Sequence, residues 1–329
     1  MATYKEIRGT QIEAVATDPS NPVEGQVWYN TTSNVLKGKT LTTAGAFSST
    51  PNLNSGRFIL TGAGTSTSAL MFNGYVPGTP SPESSTITES YNGSSWTEVN
   101  DTNVKSFGCG GTGASNTSAL RFGGTIGPGA GQSETEQWNG TNWTEVNDLN
   151  DARDAIPQAG TGTVSATIFA GGRGPSDKTE QWNGTNWTSM NTMNTGKSAA
   201  TCFGTSTAAI ITGGNGGPNT ATESFNGTNW TEVNDLNTGR SQGWGCGPSQ
   251  SDGIFLGGES PNKANVETWN GTNWSETTDI PTTKNGAAAG KAGSTSSMLW
   301  AGGSPAPTGN QSMTWLGPGV EQIKTFTDS

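Results

Sequence analysis

Histidine is absent from this 329-residue chain, and its absence removes a large share of enzyme chemistry. Without an imidazole there can be no Ser-His-Asp triad, no histidine general base and no histidine-ligated metal. Cysteine is nearly as scarce, and its three residues fit neither a disulfide framework nor the C-x-x-C spacing of zinc and redox sites. We therefore expect Cys109, Cys202 and Cys246 to be small buried residues on inner strands of the fold.

Positive charge and hydrophobic residues are also in short supply. The chain has 16 Lys and Arg against 26 Asp and Glu, a formal net charge of −10, so no basic stripe is available to bind phosphates. Hydrophobic residues make up 29% of the chain, and no apolar run is long enough to span a membrane. The N-terminus has no apolar segment of the kind found in signal peptides. We therefore expect no nucleic-acid partner, no membrane partner and no classical secretion.

The chain is rich in glycine, with 49 residues, and in repeated sequence. The stretch TEQWNGTNWTEVNDLN begins at Thr135 and returns with few changes at Thr179 and Thr222. Its second aromatic residue recurs at intervals of 47, 44, 43 and 44 residues, at Trp96, Trp143, Trp187, Trp230 and Trp274. This period is typical of propeller blades or helical arrays, and the content of Gly, Thr and Asn-Gly argues against helices.

Each repeat carries four strand signals. A Gly-rich segment comes first, and an apolar burst ending in Gly-Gly comes second, as in GIFLGG at 253–258. Two further strands, such as VETWNG and NWSET, are joined by Asn-Gly, the strongest short-range signal of a hairpin. The apolar burst occurs six times. The pattern therefore predicts an all-β fold built from repeated four-stranded sheets.

The repeat also resembles a known family. A Gly-Gly pair closing the second strand, an aromatic residue on the third, Trp on the fourth and the following NDLNTGR (234–240) look like the kelch repeat. The resemblance covers about residues 46–317 and implies a six-bladed kelch-like β-propeller with four-stranded blades. The Thr-, Asn- and Gly-rich composition and the opening NPVEGQVWYNTTSNVLKGK resemble kelch-like structural proteins of marine tailed phages.

The two ends of the chain predict how a ring of blades closes. AFSSTPNLNSGR aligns with NWTEVNDLNDAR, so residues near 46–50 are expected to supply the fourth strand of a last blade formed by about 284–317. One alternative makes VEQIKTF that fourth strand, and another builds a seventh blade from the VWYNTTSNVLK hairpin. We divide the chain into an N-terminal attachment segment with a hairpin (1–45), a six-bladed propeller (46–317) and a C-terminal tail (318–329).

Two sets of acidic residues recur at fixed positions of the repeat. They are Glu89, Glu136, Glu180, Glu223 and Glu267, and Asp101, Asp148, Asp235 and Asp279. A glycosidase needs one asymmetric carboxylate pair, so symmetric repetition favours a scaffold role, and no segment has the loop pattern of a calcium-binding EF-hand. The cations expected to pair with these acids are Arg57, Arg153, Lys197, Arg240 and Lys284.

Catalysis is not expected from this sequence. Galactose oxidase also has kelch blades, but its copper site needs histidine, which this chain lacks. Because no other constellation of catalytic residues stands out, we predict no catalytic residue, no metal and no cofactor.

The loops between the second and third strands vary from repeat to repeat, which is the usual layout of a binding surface on a fixed scaffold. The alternative is that these loops are merely unconstrained. The candidate contact residues on the loops are Tyr75, Pro77, Arg173, Lys178, Asn215, Lys263 and Asn310. The candidate attachment residues of the N-terminal segment are Tyr4, Ile7, Ile12, Trp28 and Tyr29.

The sequence therefore predicts a non-enzymatic structural protein located in a phage virion, as a tail fibre, a baseplate appendage or a capsid decoration. Its N-terminal segment is expected to bind other virion proteins, and its propeller to contact host-surface glycan or protein. Multiple copies in a symmetric assembly are expected. A cellular kelch-type protein- or glycan-binding module is the alternative reading, and a glycan-cleaving enzyme is a further one.

Overall fold

The structure is a computed structural model that describes residues 12–20, 22, 25–41, 44–77, 83–127, 131–154, 160–174, 176–259, 261–304, 309–318 and 321–326. Every regular element within these ranges is a β-strand, which confirms the predicted all-β fold. The attachment candidates Tyr4 and Ile7 lie outside the described residues. The chain divides into a terminal unit, Met1–Ala46 with Gly317–Ser329, and a repeat unit, Phe47–Leu316.

The terminal unit begins with three strands, and a fourth follows at its C-terminal end. The first three are β1 (Glu13–Val15), β2 (Val27–Asn30) and β3 (Val35–Leu41). Strand β1 pairs with β2 in parallel, and β2 pairs with β3 as an antiparallel hairpin.

Six four-stranded sheets follow, and their strands are numbered in chain order from β4 (Ala46–Thr50). Sheet 1 contains β5 (Thr61–Gly64), β6 (Ala69–Phe72), β9 (Thr88–Tyr91) and β10 (Trp96–Val99), with the two-stranded ribbon β7 (Tyr75–Val76) and β8 (Glu83–Ser84) between them. Sheet 2 contains β11 (Gly110–Ser115), β12 (Ser118–Phe122), β13 (Thr135–Trp138) and β14 (Trp143–Val146). Sheet 3 contains β15 (Gly160–Thr163), β16 (Ala166–Ala170), β17 (Thr179–Trp182) and β18 (Trp187–Met190).

The remaining sheets repeat this order. Sheet 4 contains β19 (Thr201–Gly204), β20 (Ala209–Thr212), β21 (Thr222–Phe225) and β22 (Trp230–Val233). Sheet 5 contains β23 (Trp244–Ser249), β24 (Asp252–Leu256), β25 (Val266–Trp269) and β26 (Trp274–Glu276). Sheet 6 contains β27 (Asn285–Ala289), β28 (Ser297–Ser304) and β29 (Ser312–Leu316), with β4 beside β29 as its fourth strand. The predicted repetition of four-stranded antiparallel sheets is therefore confirmed.

The first strands of the six sheets contact one another in order. Each packs against the first strand of the next sheet, and β27 of sheet 6 packs against β5 of sheet 1. Small side chains allow this close approach, since a Cβ atom on Gly111 would lie only 2.4 Å from Cγ2 of Thr61. The scarcity of large hydrophobic residues thus reflects first strands that consist mostly of Gly, Ala and Thr.

A belt of backbone hydrogen bonds precedes these first strands. Ile59 donates to the carbonyl of Gly286, Gly108 to Ile59, Gln242 to Ala199 and Gly286 to Gln242, at 2.6 to 3.0 Å. All five residues have φ between 53° and 60°. Left-handed backbone is costly for a β-branched residue such as Ile59, so the surrounding sheets must hold it there.

Tryptophans that begin fourth strands join sheets 1 to 4 to a neighbouring sheet. The Nε1 atoms of Trp143, Trp187 and Trp230 donate to threonine hydroxyls on the third strand of the preceding sheet, at 2.9 to 3.2 Å. Trp96 of sheet 1 donates in the same way to Ser312 of sheet 6, at 3.2 Å. The first and last sheets are therefore connected by the same bond that connects sequential neighbours.

The N-terminal strand β4 completes sheet 6. The rings of Phe47 and Trp315 are 4.8 Å apart, and the hydroxyl of Thr50 is hydrogen-bonded to that of Ser312. The alternative that VEQIKTF fills this position is wrong, because β30 (Glu321–Phe326) pairs antiparallel with β3 in the terminal unit. The hairpin of β2 and β3 likewise belongs to that sheet, in the order β1-β2-β3-β30.

Candidate functional site

The antiparallel order of the strands gives the repeat unit two faces. We call the side with the loops between second and third strands, and with the links between sheets, the loop face. The opposite side, with the turns between first and second strands and the Asn-Gly turns, is the turn face. Ala46 and Leu316, where the chain passes to the terminal unit, lie at the end of sheet 6 that corresponds to an Asn-Gly turn.

Backbone pairing fixes the base of the loop face. Phe58, in the link that enters sheet 1, exchanges backbone hydrogen bonds with Tyr75 at 3.1 and 2.8 Å. Ser198 and Asn215 pair in the same way at 2.9 and 2.7 Å, and Lys284 donates to the carbonyl of Lys263. The links between sheets are therefore tied to the loops above them, so the loops rise from a hydrogen-bonded frame.

Tyr75 lies at the centre of an aromatic cluster on this face. Its ring is 5.1 Å from that of Phe58 and 4.6 Å from that of Phe107, both in edge-on geometry. Ile126, which is half exposed, follows the residue that bridges Phe107. Phe58, Phe107 and Ile126 were not predicted from the sequence. A signal was present for the two phenylalanines, because each directly follows the cation position of its repeat, which holds Arg57 in one case and Ser106 in the other.

Two of the candidate cations are already paired within the chain. Arg173 Nε lies 2.7 Å from the buried carboxylate of Asp154, and burial raises the pKa of Asp154 although Arg173 opposes the shift. Lys178 Nζ lies 2.6 Å from Asp151, with both side chains exposed. A ligand on the loop face would therefore encounter Arg173 and Lys178 as ion pairs whose charges are already neutralised.

The other candidate contact residues lie around the same frame. Pro77 and Asn215 are exposed, whereas Lys263 and Asn310 are half-buried. The carbonyl of Asn310 accepts the backbone N–H of Leu53, in the link that follows β4. The structure brings Tyr75 together with other aromatic side chains. Pro77 shares its loop, Arg173 and Lys178 share the loop of sheet 3, and the other candidates lie on the loops of sheets 4, 5 and 6.

The repeated glutamates are buried between the sheets. Glu180 Oε2 accepts the backbone N–H and the side-chain amide of Asn150 at 2.8 and 2.9 Å. Its Oε1 accepts the backbone N–H of Asp151 and lies 3.1 Å from Nη2 of Arg153. The same glutamate–asparagine bonds join Glu89 to Asn54, Glu136 to Asn103, Glu223 to Asn194 and Glu267 to Asn237. Each link is thus stapled to the third strand of the sheet that it enters.

Cations complete most of these staples. Arg57 lies 3.0 Å from Glu89 and Arg240 lies 3.1 Å from Glu267, with all four side chains buried. Burial lowers the pKa of both arginines, and the neighbouring glutamates oppose that shift. In sheet 2 the position holds Ser106 instead, and Arg121 of β12 reaches across to bond its hydroxyl at 2.8 Å. Arg121 Nε lies 4.0 Å from Glu136, so the cation is supplied from another strand.

The repeated aspartates also accept hydrogen bonds from backbone N–H groups. Asp101 accepts the backbone N–H of Thr88 and the hydroxyl of Thr86, and Asp235 makes the equivalent bonds to Thr222 and Thr220. Asp148 accepts the backbone N–H of Thr135. These carboxylates fix the starts of third strands.

A two-residue insertion distinguishes the turn between β27 and β28 from the corresponding turns of sheets 1 and 4. It contains Lys291, whose buried Nζ donates to the carbonyls of Cys202 and Gly245 at 3.0 and 3.3 Å. Desolvation lowers the pKa of Lys291 to about 8, and burial raises the pKa of Cys202 and of Cys246 to about 12. All three cysteines are free and buried, as expected. The insertion therefore bridges sheets 4, 5 and 6 through one ammonium group.

The attachment candidates separate into exposed and buried residues. Ile12 and Tyr29 are exposed, as are Ile323 and Phe326 of β30. Trp28 is fully buried, and its Nε1 donates to Asp18 at 3.0 Å. Bonds from Lys37, Trp28 and Asn30 hold the pKa of Asp18 at about 2. Trp28 therefore holds the terminal sheet together and offers no surface to a partner.

No protein-family model matches the chain, and no curated protein sequence matches it either. Within the described ranges, no helix is long and apolar enough to cross a membrane. The same part of the chain contains no group of three or more Cys, Asp or Glu side chains placed to hold a metal ion.

Proposed function

We propose that the repeat unit is a closed six-bladed β-propeller of the kelch type. The cyclic contacts of the six first strands, the bond from Trp96 to Ser312 and the addition of β4 to sheet 6 all support closure. The resemblance of the repeats to kelch sequences supports the family. The sixth blade joins the N- and C-terminal ends of the repeat region, so the ring can open only by breaking the pairing of β4 with β29.

We further propose that the protein is a non-enzymatic structural protein of a tailed-phage virion that displays this propeller. The observation that carries the proposal is the difference between the two faces. Residues that recur in the repeats form buried staples, as in Glu180 with Asn150, whereas residues that vary lie in the loops. Both connections to the terminal unit leave sheet 6 on the turn face, whereas the variable loops belong to the loop face.

In this proposal the terminal unit attaches the chain to other virion proteins. Its exposed Ile12, Tyr29 and Phe326 support this role, because exposed large apolar side chains in a small sheet favour burial against a partner. The loop face contacts host-surface glycan or protein. Its aromatic cluster around Tyr75 supports that role, since aromatic anchors dominate the energetics of many interfaces.

Particle incorporation tests the attachment role. A tagged full chain and a tagged variant containing only residues 45–317 are produced in cells that are assembling particles, and the particles are purified on a density gradient. We expect the full chain in the particle fraction and the variant only in the soluble fraction. Absence of the full chain from particles would contradict the virion proposal and favour a cellular binding module.

Binding and turnover test the role of the loop face. Host-surface polysaccharide is incubated with the protein, and bound protein and released reducing ends are both measured. We expect binding without product. Replacing Tyr75, Arg173 or Asn215 with Ala should weaken binding, whereas Thr141→Ala and Thr185→Ala, at exposed positions of Asn-Gly turns, should leave it unchanged. Sustained product release would overturn the proposal in favour of an enzyme.

A further inference from the structure

A groove opens on the turn face between sheets 4 and 5, away from the proposed contact loops. Its volume is about 340 Å³, near the lower end of the range of roughly 300–1,000 Å³ that is common for ligand sites. Its lining includes the apolar side chains of Ile210, Val233 and Trp269, of which Ile210 and Trp269 are buried. The groove therefore has the size of a site for one or two small rings.

The rim of the groove is made of hydroxyl and amide groups. Thr205, Ser249 and Ser251 border it, and Gln250 lies across it. The amide nitrogen of Gln250 donates to the hydroxyl of Ser224 at 2.6 Å and to a backbone carbonyl of the same strand at 2.8 Å. These two bonds fix the amide, so its oxygen is the atom that it can offer to a ligand.

The lining also excludes most other ligand classes. None of the described residues that line the groove is charged, so a charged ligand would lose hydration without gaining a counter-ion. A purely apolar ligand would leave the hydroxyls of the rim without partners. A neutral sugar has hydroxyls for the rim and a C–H face for the apolar side chains of the lining. We propose that this groove binds an uncharged saccharide of one or two rings.

A comparison between repeats shows which side chains cross from one sheet to the next beside the groove. In the third strand, the residue before the final aromatic is Ser90, Gln137, Gln181, Ser224, Thr268 or Thr314 in sheets 1 to 6. Between sheets 3 and 4, Gln181 reaches over and donates to the carbonyl of Ser206 at 2.7 Å. At the next junction Ser224 is short, and Gln250 of sheet 5 reaches across in the opposite direction to bond its hydroxyl. The same arrangement occurs between sheets 1 and 2, where Asn116 donates to the hydroxyl of Ser90 at 3.0 Å.

This comparison supplies the test. Ser224→Gln gives sheet 4 the side chain that sheet 3 carries at this position, so it should compete with the amide of Gln250 for the same space and narrow the groove. Thr268→Gln makes the same change in sheet 5 at a residue that does not line the groove. Gln250→Met is an independent variant that keeps the side-chain length and removes the amide. Circular dichroism and melting curves check that all three fold.

Binding is measured by saturation-transfer NMR and by tryptophan fluorescence, using methyl glycosides of glucose, galactose, mannose, fucose and N-acetylglucosamine. Glucuronic acid and glucose 6-phosphate serve as charged comparators. We expect saturable binding of at least one neutral glycoside with a Kd of about 1–10 mM, weakened at least tenfold by Ser224→Gln and by Gln250→Met. Thr268→Gln should bind as the parent does.

Three results would overturn the proposal. They are the absence of saturable binding up to about 100 mM of every neutral glycoside, equal binding by the parent and Ser224→Gln, and preferential binding of a charged comparator. The proposal does not depend on the virion assignment, because it concerns the turn face and its test uses the isolated protein.

Discussion

Sheets 1 to 5 and sheet 6 are built from the same pattern in two different ways. Each of the first five sheets comes from one continuous stretch of chain and carries the glutamate staple. Sheet 6 takes β4 from the start of the repeat region, and at the staple positions it has Met313 where sheet 5 has Glu267, and Pro281 where sheet 5 has Asn237. The sheet that joins the two ends thus lacks the device that joins the others.

Other interactions hold sheet 6. Ser312 on its third strand accepts a hydrogen bond from the indole N–H of Trp96, and its hydroxyl is also hydrogen-bonded to that of Thr50. The inserted Lys291 bonds carbonyls of sheets 4 and 5, which no turn at the corresponding position of the other sheets is seen to do within the described residues. A local staple can be copied in every repeat, but closure happens once and needs contacts between distant parts of the chain.

The largest expected effect comes from removing the strand that closes sheet 6. Deleting residues 1–52 removes β4, exposes Trp315 and leaves β29 with an unpaired edge, at an expected cost of about 5 kcal/mol in the free energy of unfolding. A control chain containing residues 45–317 lacks most of the terminal unit and keeps β4. Its melting temperature should stay close to that of the full-length chain. Equal melting temperatures for both deletions would contradict the closure.

Changing the residue at the glutamate position of the staple should destabilise sheet 3 more than sheet 6, which has no staple. Glu180→Gln leaves the buried Arg153 without its counter-charge, and we expect the free energy of unfolding to fall by about 3 kcal/mol. Met313→Gln puts the same side chain at the equivalent position of sheet 6 and should cost about 1 kcal/mol, for lost apolar contact. Urea titrations of both variants measure the difference, and equal losses would show that the staple adds nothing.

Lys291 should make stability depend on pH in one direction. Its pKa is lowered to about 8 in the folded chain, whereas the unfolded chain keeps the proton up to the ordinary value of 10.5. Between these values the unfolded state binds more protons, so stability rises with pH by about 1.4 kcal/mol per unit from this group. Urea titrations at pH 7, 8, 9 and 10 should show the parent gaining on Lys291→Met above pH 8. Parallel curves would contradict the burial of the charged ammonium.

The smallest effect distinguishes two of the tryptophans that begin fourth strands. Trp230 Nε1 donates to Thr179 at 2.9 Å, whereas Trp274 Nε1 is buried and has no hydrogen-bond partner among the described residues. Both changes to Phe remove similar apolar volume, but only Trp230→Phe also breaks a bond. We expect it to cost about 1 kcal/mol more than Trp274→Phe in thermal unfolding. The reverse order would argue against the indole–threonine hydrogen bonds as a source of stability.

Much of the strand pattern was predictable because it follows from local chemistry. Asn-Gly turns, Gly-Gly strand ends and apolar bursts have short-range causes, and the structure places strands at each of them. The position of β4 could also be predicted, since Phe47 aligns with the first residue of the other fourth strands. Glu180 and Arg153 could be paired by reasoning from repetition alone.

The parts that escaped sequence reasoning depend on contacts between distant residues. Nothing local to VEQIKTF shows that it pairs with β3, because its alternation suits any sheet edge. Trp28 was predicted as an attachment residue, yet its side chain is fully buried and its Nε1 donates to Asp18, which also accepts bonds from Asn30 and Lys37. The role of Arg121, which supplies the cation that is missing at Ser106, also could not be predicted. It follows from the register of β12 against β13, which places Arg121 opposite Glu136.

The closed ring is the central claim, and a single cross-link tests it most directly. Thr50 and Ser312 lie on β4 and β29, far apart in sequence, and their hydroxyls are bonded. The double variant Thr50→Cys and Ser312→Cys, oxidised at low protein concentration and digested under non-reducing conditions, should give by mass spectrometry one intramolecular disulfide joining the two peptides. The three native cysteines are buried and should stay reduced. A chain that forms no such disulfide while folded, or only links between molecules, would contradict the closed six-sheet ring.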